Sequence, residues 1–203
     1  MSSDQPSRPI DIPALIGSRI CHDLISPIGA IGNGIELLSM SGGGVGPELS
    51  LISESVANAN ARIRFYRLAY GQSGRDQATS RTEVISILQD LYAGSRLDVA
   101  WTLNADCRRT EAKAALLALQ CLESAMPFGG RAEVSRVDGR WKVSGTAAKF
   151  RIDAEIWALL EKRPSDTDVT PALVHFALLP ETLTQMGRVL EVQRNDQRVV
   201  LSY

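Results

Sequence analysis

Histidine and cysteine are scarce in this chain of 203 residues, which has two histidines and three cysteines. The cysteines, Cys21, Cys107 and Cys121, are widely spaced and form no CxxC pair, so the sequence predicts neither a disulfide framework nor a structural zinc site. Thiols without a pairing pattern are typical of a reducing compartment, and we expect a cytoplasmic protein. Any chemistry that needs an imidazole must use His22 or His175.

The sequence also has no excess of basic residues and no long run of apolar residues. The 22 Lys and Arg residues are balanced by 23 Asp and Glu residues, for a net charge of −1, whereas a general nucleic-acid binder usually carries a basic patch. No stretch approaches the roughly 20 apolar residues that span a bilayer. The opening sequence MSSDQPSRPID lacks the apolar core of a signal peptide. We therefore expect no nucleic acid and no membrane among the partners.

Helical periodicity dominates the first 70 residues. Apolar side chains recur every three or four positions in two segments, as in amphipathic helices. They are Ile16, Ile20, Leu24, Ile28, Ile31, Ile35 and Leu38 in the first, and Leu49, Ile52, Val56, Ala59, Ile63, Tyr66 and Tyr70 in the second. The glycine-rich segment from Ser41 to Glu48 predicts a loop between them. An antiparallel hairpin cannot bury both stripes alone, so we expect a homodimer in which two hairpins form a four-helix bundle.

The pattern changes after residues 71–80, which predict a polar linker. Ser80 and Glu83 have the spacing of a capping box ahead of a helix. Thr110 is predicted to cap a second helix that runs to Met126. A third helix is predicted from Ile152 to Leu160. A fourth is expected after Thr170-Pro171, where the threonine caps and the proline occupies the first turn.

Two hairpin signals complete the second part of the chain. Asp138-Gly139 lies between AEVSRV and RWKVSG and favours a type I′ turn, and Asn195-Asp196 lies between the last two predicted strands. We therefore predict an α+β fold with two domains. Residues 1–75 form the helical hairpin, and residues 76–203 form an α/β sandwich with helices packed on a mostly antiparallel sheet.

His22 is predicted to point away from the apolar stripe of the first helix. At about 100° per residue, Ile20, Ile31 and Leu38 fall roughly 160–180° from it. Its own face carries mostly small or polar residues, namely Leu15, Ser18, Arg19, Ser26, Gly29 and Asn33. Pro27 follows one turn later, and an interior proline costs a helix about 3 kcal/mol, which is more typical of a functional site than of packing.

An exposed imidazole is largely neutral at neutral pH, so one ring nitrogen of His22 is free to act as a nucleophile. Asp23 could accept a hydrogen bond from the other nitrogen and orient the ring. A single histidine on a helix surface is also an ordinary, functionless feature, and the residue pattern alone leaves both interpretations open. His175, in LVHFALL, is predicted to be a buried packing residue.

The stretch from Arg19 to Ile28, RICHDLISPI, resembles the H-box of sensor histidine kinases, where an acid, an apolar residue and a proline follow the phosphoacceptor histidine. The longer strings ICHDLISPIGAIGNGIELL and ANARIRFYRLAYG resemble the alphaproteobacterial histidine phosphotransferases of the ChpT type. This resemblance implies that His22 is the phosphoacceptor and Asp23 its adjacent acid. It also implies a dimeric four-helix bundle followed by a domain similar to the kinase ATPase fold. Ile25 departs from the family pattern, because kinases usually have a basic residue there.

The nucleotide motifs of that kinase domain have no counterpart in this sequence. The helix that bears a magnesium-binding Asn in kinases here reads ALLALQCLESAMPFGG. The strand WKVSGTAAKFRID lacks an Asp-x-Gly-x-Gly turn, and LVHFALLPE offers no glycine-rich lid. We therefore predict a degenerate histidine-kinase ATPase-like sandwich that binds no ATP.

The sequence thus predicts a histidine phosphotransferase that relays a phosphoryl group through His22 in a two-component phosphorelay. Its expected partners are the receiver domains of a hybrid histidine kinase and of response regulators. No cofactor is expected on this chain, and Mg²⁺ is expected on the receiver. The candidate docking residues are Ser18, Arg19, Ile25, Ser26, Gly29 and Asn33. Two alternatives stay open, a non-catalytic dimeric adaptor that binds a receiver or kinase and an atypical histidine kinase.

Overall fold

The computed structural model describes residues 10–40, 46–74, 76–163 and 167–203. It confirms the predicted α+β class. In chain order the elements are α1 (Ile12–Met40), α2 (Pro47–Ala69), β1 (Ala78–Thr79), α3 (Arg81–Tyr92), β2 (Leu97–Trp101), β3 (Cys107–Arg108), α4 (Arg109–Ala125), β4 (Gly130–Val137), β5 (Arg140–Thr146), α5 (Ala154–Leu160), a 3₁₀ turn (Pro171–Leu173), α6 (Val174–Gln185), β6 (Glu191–Arg194) and β7 (Arg198–Ser202).

Helices α1 and α2 form the predicted hairpin. They run antiparallel, because Gly34 of α1 lies against Ile52 of α2 while Asp23 lies against Tyr66. A Cβ atom at Gly34 would lie only 2.6 Å from Cγ1 of Ile52, so glycine permits this close approach. The predicted loop between the helices falls largely on residues 41–45, which lie outside the described residues. No helix in the described ranges is long and apolar enough to cross a membrane.

The larger sheet has five strands in the order β2-β4-β5-β7-β6. Strands β2 and β4 are parallel, and every other neighbouring pair in it is antiparallel. Asp138 and Gly139 have φ values of 50° and 78°, which are the positive angles of the predicted type I′ turn. At the second hairpin, Oδ1 of Asn195 accepts hydrogen bonds from the backbone N–H groups of Gln197 and Arg198. Both predicted hairpins are confirmed.

Helix α4 is the centre of the α/β part and packs against both β5 and α6. Its alanine and leucine side chains are almost all fully buried. The predicted cap at Thr110 is wrong, because α4 begins at Arg109 and the backbone N–H of Arg108 donates to the Glu111 side chain at 3.2 Å. The predicted cap at Ser80 is confirmed, since its hydroxyl accepts from the backbone N–H of Glu83 at 3.1 Å.

One end of the hairpin packs against the α/β part. Phe65, Leu68 and Ala69 of α2 are buried in the common core, and Ile16 and Ile20 of α1 pack against it. The apolar stripes therefore divide into two portions. Near the α/β part they are covered, whereas farther along the hairpin several apolar side chains stay exposed in the single chain, among them Ile28, Ile35, Leu49, Val56 and Ile63.

Candidate functional site

His22 stands on the outer surface of α1, with 86% of its side chain exposed. The next residue, Asp23, is turned toward α2 and has a side chain only 11% exposed. Nδ1 of His22 lies 3.2 Å from Oδ1 of Asp23. One face of α1 therefore presents a free imidazole whose inner nitrogen is held by a nearly buried carboxylate.

The other oxygen of Asp23 is held by groups from both helices. Nε of Arg19 donates to Oδ2 at 2.7 Å from one turn earlier on α1. The hydroxyl of Tyr66 on α2 donates to the same oxygen. Nη1 of Arg62, also on α2, forms an ion pair with it at 3.6 Å. Oδ2 is thus anchored to the protein, and Oδ1 is available to His22.

These contacts determine the ionisation of Asp23. Burial by itself would raise the pKa of the Asp23 carboxyl, but hydrogen bonds from Tyr66 and His22 and the charge of Arg19 outweigh burial and hold that pKa below its usual range. Burial and the neighbouring carboxylate raise the pKa of Tyr66, so its hydroxyl keeps its proton and donates. Because an ionised carboxylate can only accept, the hydrogen bond requires a proton on Nδ1 of His22. Nε2 of the neutral ring then carries the free lone pair.

Pro27 lies buried one turn after Asp23. Because proline has no N–H, the backbone carbonyl of Asp23 receives no helical hydrogen bond from residue 27. The proline helps to form the wall of a groove of about 520 Å³ between α1 and α2. The groove is lined by His22, Asp23, Ser26, Pro27, Ala30, Leu51, Glu54, Ser55, Asn58 and Arg62. It opens beside the exposed imidazole, where an incoming group could reach Nε2.

The six docking residues predicted from the sequence do not share one environment. Ser18, Ile25, Ser26, Gly29 and Asn33 are exposed on α1, and Ile25 is 68% exposed. Arg19 differs, because its side chain is only 23% exposed and is bonded to both Asp23 and the backbone carbonyl of Ala172. The Arg19 guanidinium is therefore largely engaged within the chain, while the other five side chains stay candidates for contact with a partner.

Two residues of the site were not identified from the sequence. The apolar period places Tyr66 on the apolar stripe of the second helix and gives Arg62 no role. Both belong to ARIRFYRLA, where Arg62 lies four positions before Tyr66 and therefore on the same face of the helix. That spacing was the available signal, but only the packing of α2 on α1 shows that this face meets Asp23.

His175 is 1% exposed, which confirms its prediction as a buried residue. Among the described residues, no group of three or more His, Cys, Asp and Glu side chains is arranged to hold a metal ion. An exposed nucleophilic imidazole, oriented by a carboxylate on a helical hairpin, is the arrangement of a histidine-based phosphoryl carrier.

Comparisons with known proteins agree with that class. Residues 81–198 match the family model described as "Histidine phosphotransferase C-terminal domain". Protein phosphotransferase ChpT of Brucella abortus (strain 2308) is 33% identical over 149 residues, which cover 70% of this chain and 71% of that protein. A solved bacterial phosphotransferase superposes with a TM-score of 0.77 at 25% identity, covering 95% of both chains. This chain belongs to the histidine phosphotransferase family.

Proposed function

We propose that His22 carries the phosphoryl group, accepting it on Nε2 from one receiver-domain aspartate and passing it to another. The observation that carries this proposal is the bond between Nδ1 of His22 and Asp23, in a side chain that is otherwise 86% exposed. The carboxylate fixes the inner nitrogen of the ring and leaves the outer nitrogen free toward a partner protein.

The transfer exchanges one bond to phosphorus for another. The lone pair of Nε2 attacks the phosphorus of an aspartyl phosphate, the N–P bond forms, and the P–O bond to the aspartate breaks. The aspartate leaves as a carboxylate with the electron pair. The ring becomes cationic because Nδ1 keeps its proton, and the negative charge of Asp23 stabilises that cation. A carboxylate of the second receiver then attacks the same phosphorus and restores the neutral ring.

The proposed partners are receiver domains of a hybrid histidine kinase and of response regulators. The exposed residues of α1 near His22, with Ile25 and Ser26 among them, form the proposed docking face. Mg²⁺ bound by the receiver would neutralise the transferring phosphoryl group. We propose that residues 76–203 bind no ATP, so that phosphate arrives only from a partner protein.

We also propose that the chain works as a cytoplasmic homodimer. The three cysteines are free thiols, as a reducing compartment requires. Exposed apolar residues lie seven positions apart on both helices, at Ile28 and Ile35 of α1 and at Val56 and Ile63 of α2. A stripe of that period on two adjacent helices is the surface that a second hairpin covers in a four-helix bundle.

The test uses ³²P-labelled phosphate. The wild type and His22→Ala are incubated with ATP alone, and separately with a phosphorylated receiver domain. Cys21→Ala is the matched control, because it changes the neighbouring exposed residue and leaves the imidazole in place. We expect label from the receiver only, in the wild type and in Cys21→Ala but not in His22→Ala.

Two other outcomes would overturn the proposal in different directions. Label acquired from ATP alone would make the chain an atypical histidine kinase. If the chain acquired no label, and the wild type and His22→Ala bound receivers equally well, the chain would be an adaptor.

A further inference from the structure

We propose that Arg19 and Tyr66 are positioning residues of the phosphoacceptor site. They fix the Asp23 carboxylate to the α/β part, and Asp23 in turn orients the ring of His22. This inference rests on the proposed function, because it concerns the rate at which His22 takes and gives the phosphoryl group. Neither residue touches the reacting atoms. Both act through Asp23, and each is held in turn by the second part of the chain.

Arg19 joins the site to the turn before α6. Its Nε donates to Oδ2 of Asp23 at 2.7 Å, and its Nη1 donates to the backbone carbonyl of Ala172 at 2.7 Å. Because the guanidinium is planar, these two bonds fix each other's direction. The 3₁₀ turn Pro171–Leu173 therefore determines where the Asp23 carboxylate can lie. A lysine at position 19 has one nitrogen and could not maintain both bonds in this geometry.

Tyr66 holds the same oxygen from the other side. Its ring is 6% exposed and stacks on the ring of Tyr70, with centroids 5.2 Å apart and planes 7° from parallel. The hydroxyl of Tyr70 lies 3.2 Å from the side-chain oxygen of Gln120, on the buried helix α4. A chain of contacts thus runs from α4 through two tyrosines to Asp23.

The fixed position of the Asp23 carboxylate restricts the rotamers and tautomers of the His22 imidazole. A highly exposed histidine would otherwise sample several rotamers and both neutral tautomers. With Oδ2 occupied by Arg19 and Tyr66, Oδ1 faces Nδ1 of His22, and the tautomer with a free Nε2 is favoured. Loss of the bond from Arg19 or Tyr66 to Asp23 lowers the fraction of molecules in which His22 has a free Nε2. It leaves the outer docking face unchanged, because Tyr66 is buried.

The test compares Tyr66→Phe and Arg19→Lys with two matched controls. Tyr92→Phe also removes a hydroxyl bonded to a carboxylate, that of Glu123 at 2.9 Å. Arg64→Lys also removes a guanidinium that bridges two acceptors, Asp90 and Ser86. Single-turnover transfer from a phosphorylated receiver domain is measured against receiver concentration. The tautomer of His22 is read from ¹⁵N NMR, with His175→Gln used to assign the two imidazoles.

We expect Tyr66→Phe and Arg19→Lys to lower the maximal transfer rate about 5- to 50-fold, as loss of orientation does, with the half-saturating receiver concentration unchanged. We expect the wild-type His22 ring to carry its proton on Nδ1 and the two variants to show a mixture of tautomers. Both controls should stay within about twofold of the wild type, because the bonds that they remove go to Glu123, Asp90 and Ser86 and not to Asp23.

Unchanged rate and tautomer in both variants would overturn the inference. An equal loss of rate in the controls would also overturn it, because the effect would then reflect general stability. If the wild type acquired no label at all, the proposed function would fail instead. The NMR tautomer would still report whether Arg19 and Tyr66 hold the ring through Asp23.

Discussion

The hydroxyl of Ser124 lies 3.0 Å from Nε2 of His175 inside the α/β part. Ser124 also donates its single proton to the backbone carbonyl of Gln120 at 3.0 Å, so Nε2–H of His175 is the donor to the serine oxygen. Nδ1 of His175 is buried and has no hydrogen-bond partner among the described residues. Burial, and to a smaller degree the charge of Arg19, lowers the pKa of His175 to about 3. The two histidines therefore have opposite environments, one 86% exposed at the proposed site and the other buried and neutral.

The lowered pKa of His175 predicts that the folded protein loses stability in mild acid. Its pKa is near 6.5 in the unfolded chain and about 3 in the fold, so the unfolded state binds a proton first as pH falls. The contribution of the neutral ring is fully present above pH 6.5 and decreases below it, by at most about 1.4 kcal/mol per pH unit. Urea unfolding at pH 7, 6 and 5 should show a steeper loss for the wild type than for His175→Gln. Parallel pH dependences would contradict this prediction.

Gly29→Trp should block phosphotransfer without affecting the fold or the association state. Gly29 is exposed on α1, and a Cβ atom there meets nothing within 4 Å, so the indole would project into solvent on the proposed docking face. Transfer from a phosphorylated receiver is the readout, and Gly29→Ala is the control that adds only a methyl group, which meets nothing within 4 Å. Normal transfer by Gly29→Trp would count against docking on this face.

Gly34→Ala should destabilise the hairpin, whereas Gly29→Ala should not. A methyl group at position 34 would lie 2.6 Å from Cγ1 of Ile52 and would force α1 away from α2. We expect a cost of about 1–3 kcal/mol, the range for overpacking. At position 29 alanine should stabilise the helix by up to about 1 kcal/mol. Equal free energies of unfolding for the two variants would show that the close approach at Gly34 is not needed.

A charge on the exposed apolar stripe should convert the proposed dimer to a monomer. Ile28 and Ile35 are 59% and 55% exposed in the single chain and would be buried in a four-helix bundle. Ile28→Glu with Ile35→Glu should therefore shift sedimentation to the monomer mass while the far-UV CD spectrum is retained. Ile25→Glu is the control, because Ile25 is assigned to the docking face. A monomeric wild type would refute the bundle.

Local structure could be predicted from the order of residue types along the chain. Helical periodicity defined α1 and α2, the capping pair at Ser80 defined the start of α3, and the Asp138-Gly139 turn defined the β4-β5 hairpin. These features depend on neighbours in the chain, so the pattern of residue types is sufficient to find them. The sequence also predicts that Asp23 can orient the His22 ring, and the structure shows the two side chains 3.2 Å apart.

The groups that surround His22 and Asp23 come from distant parts of the chain, and the fold was needed to identify them. Arg62 and Tyr66 lie about 40 residues from Asp23, and Ala172 lies 153 residues from Arg19. No local pattern specifies which face of α2 meets α1, since both stripes have the same helical period. The packing of α2 on α1 adds the Tyr66 hydroxyl and the Arg62 cation to the carboxylate oxygen that Arg19 already holds, and the turn before α6 packs on Arg19. The sequence predicts that Arg19 contacts a partner, and its place one turn before Asp23 is local, but no local pattern could predict its bond to the Ala172 carbonyl, 153 residues away.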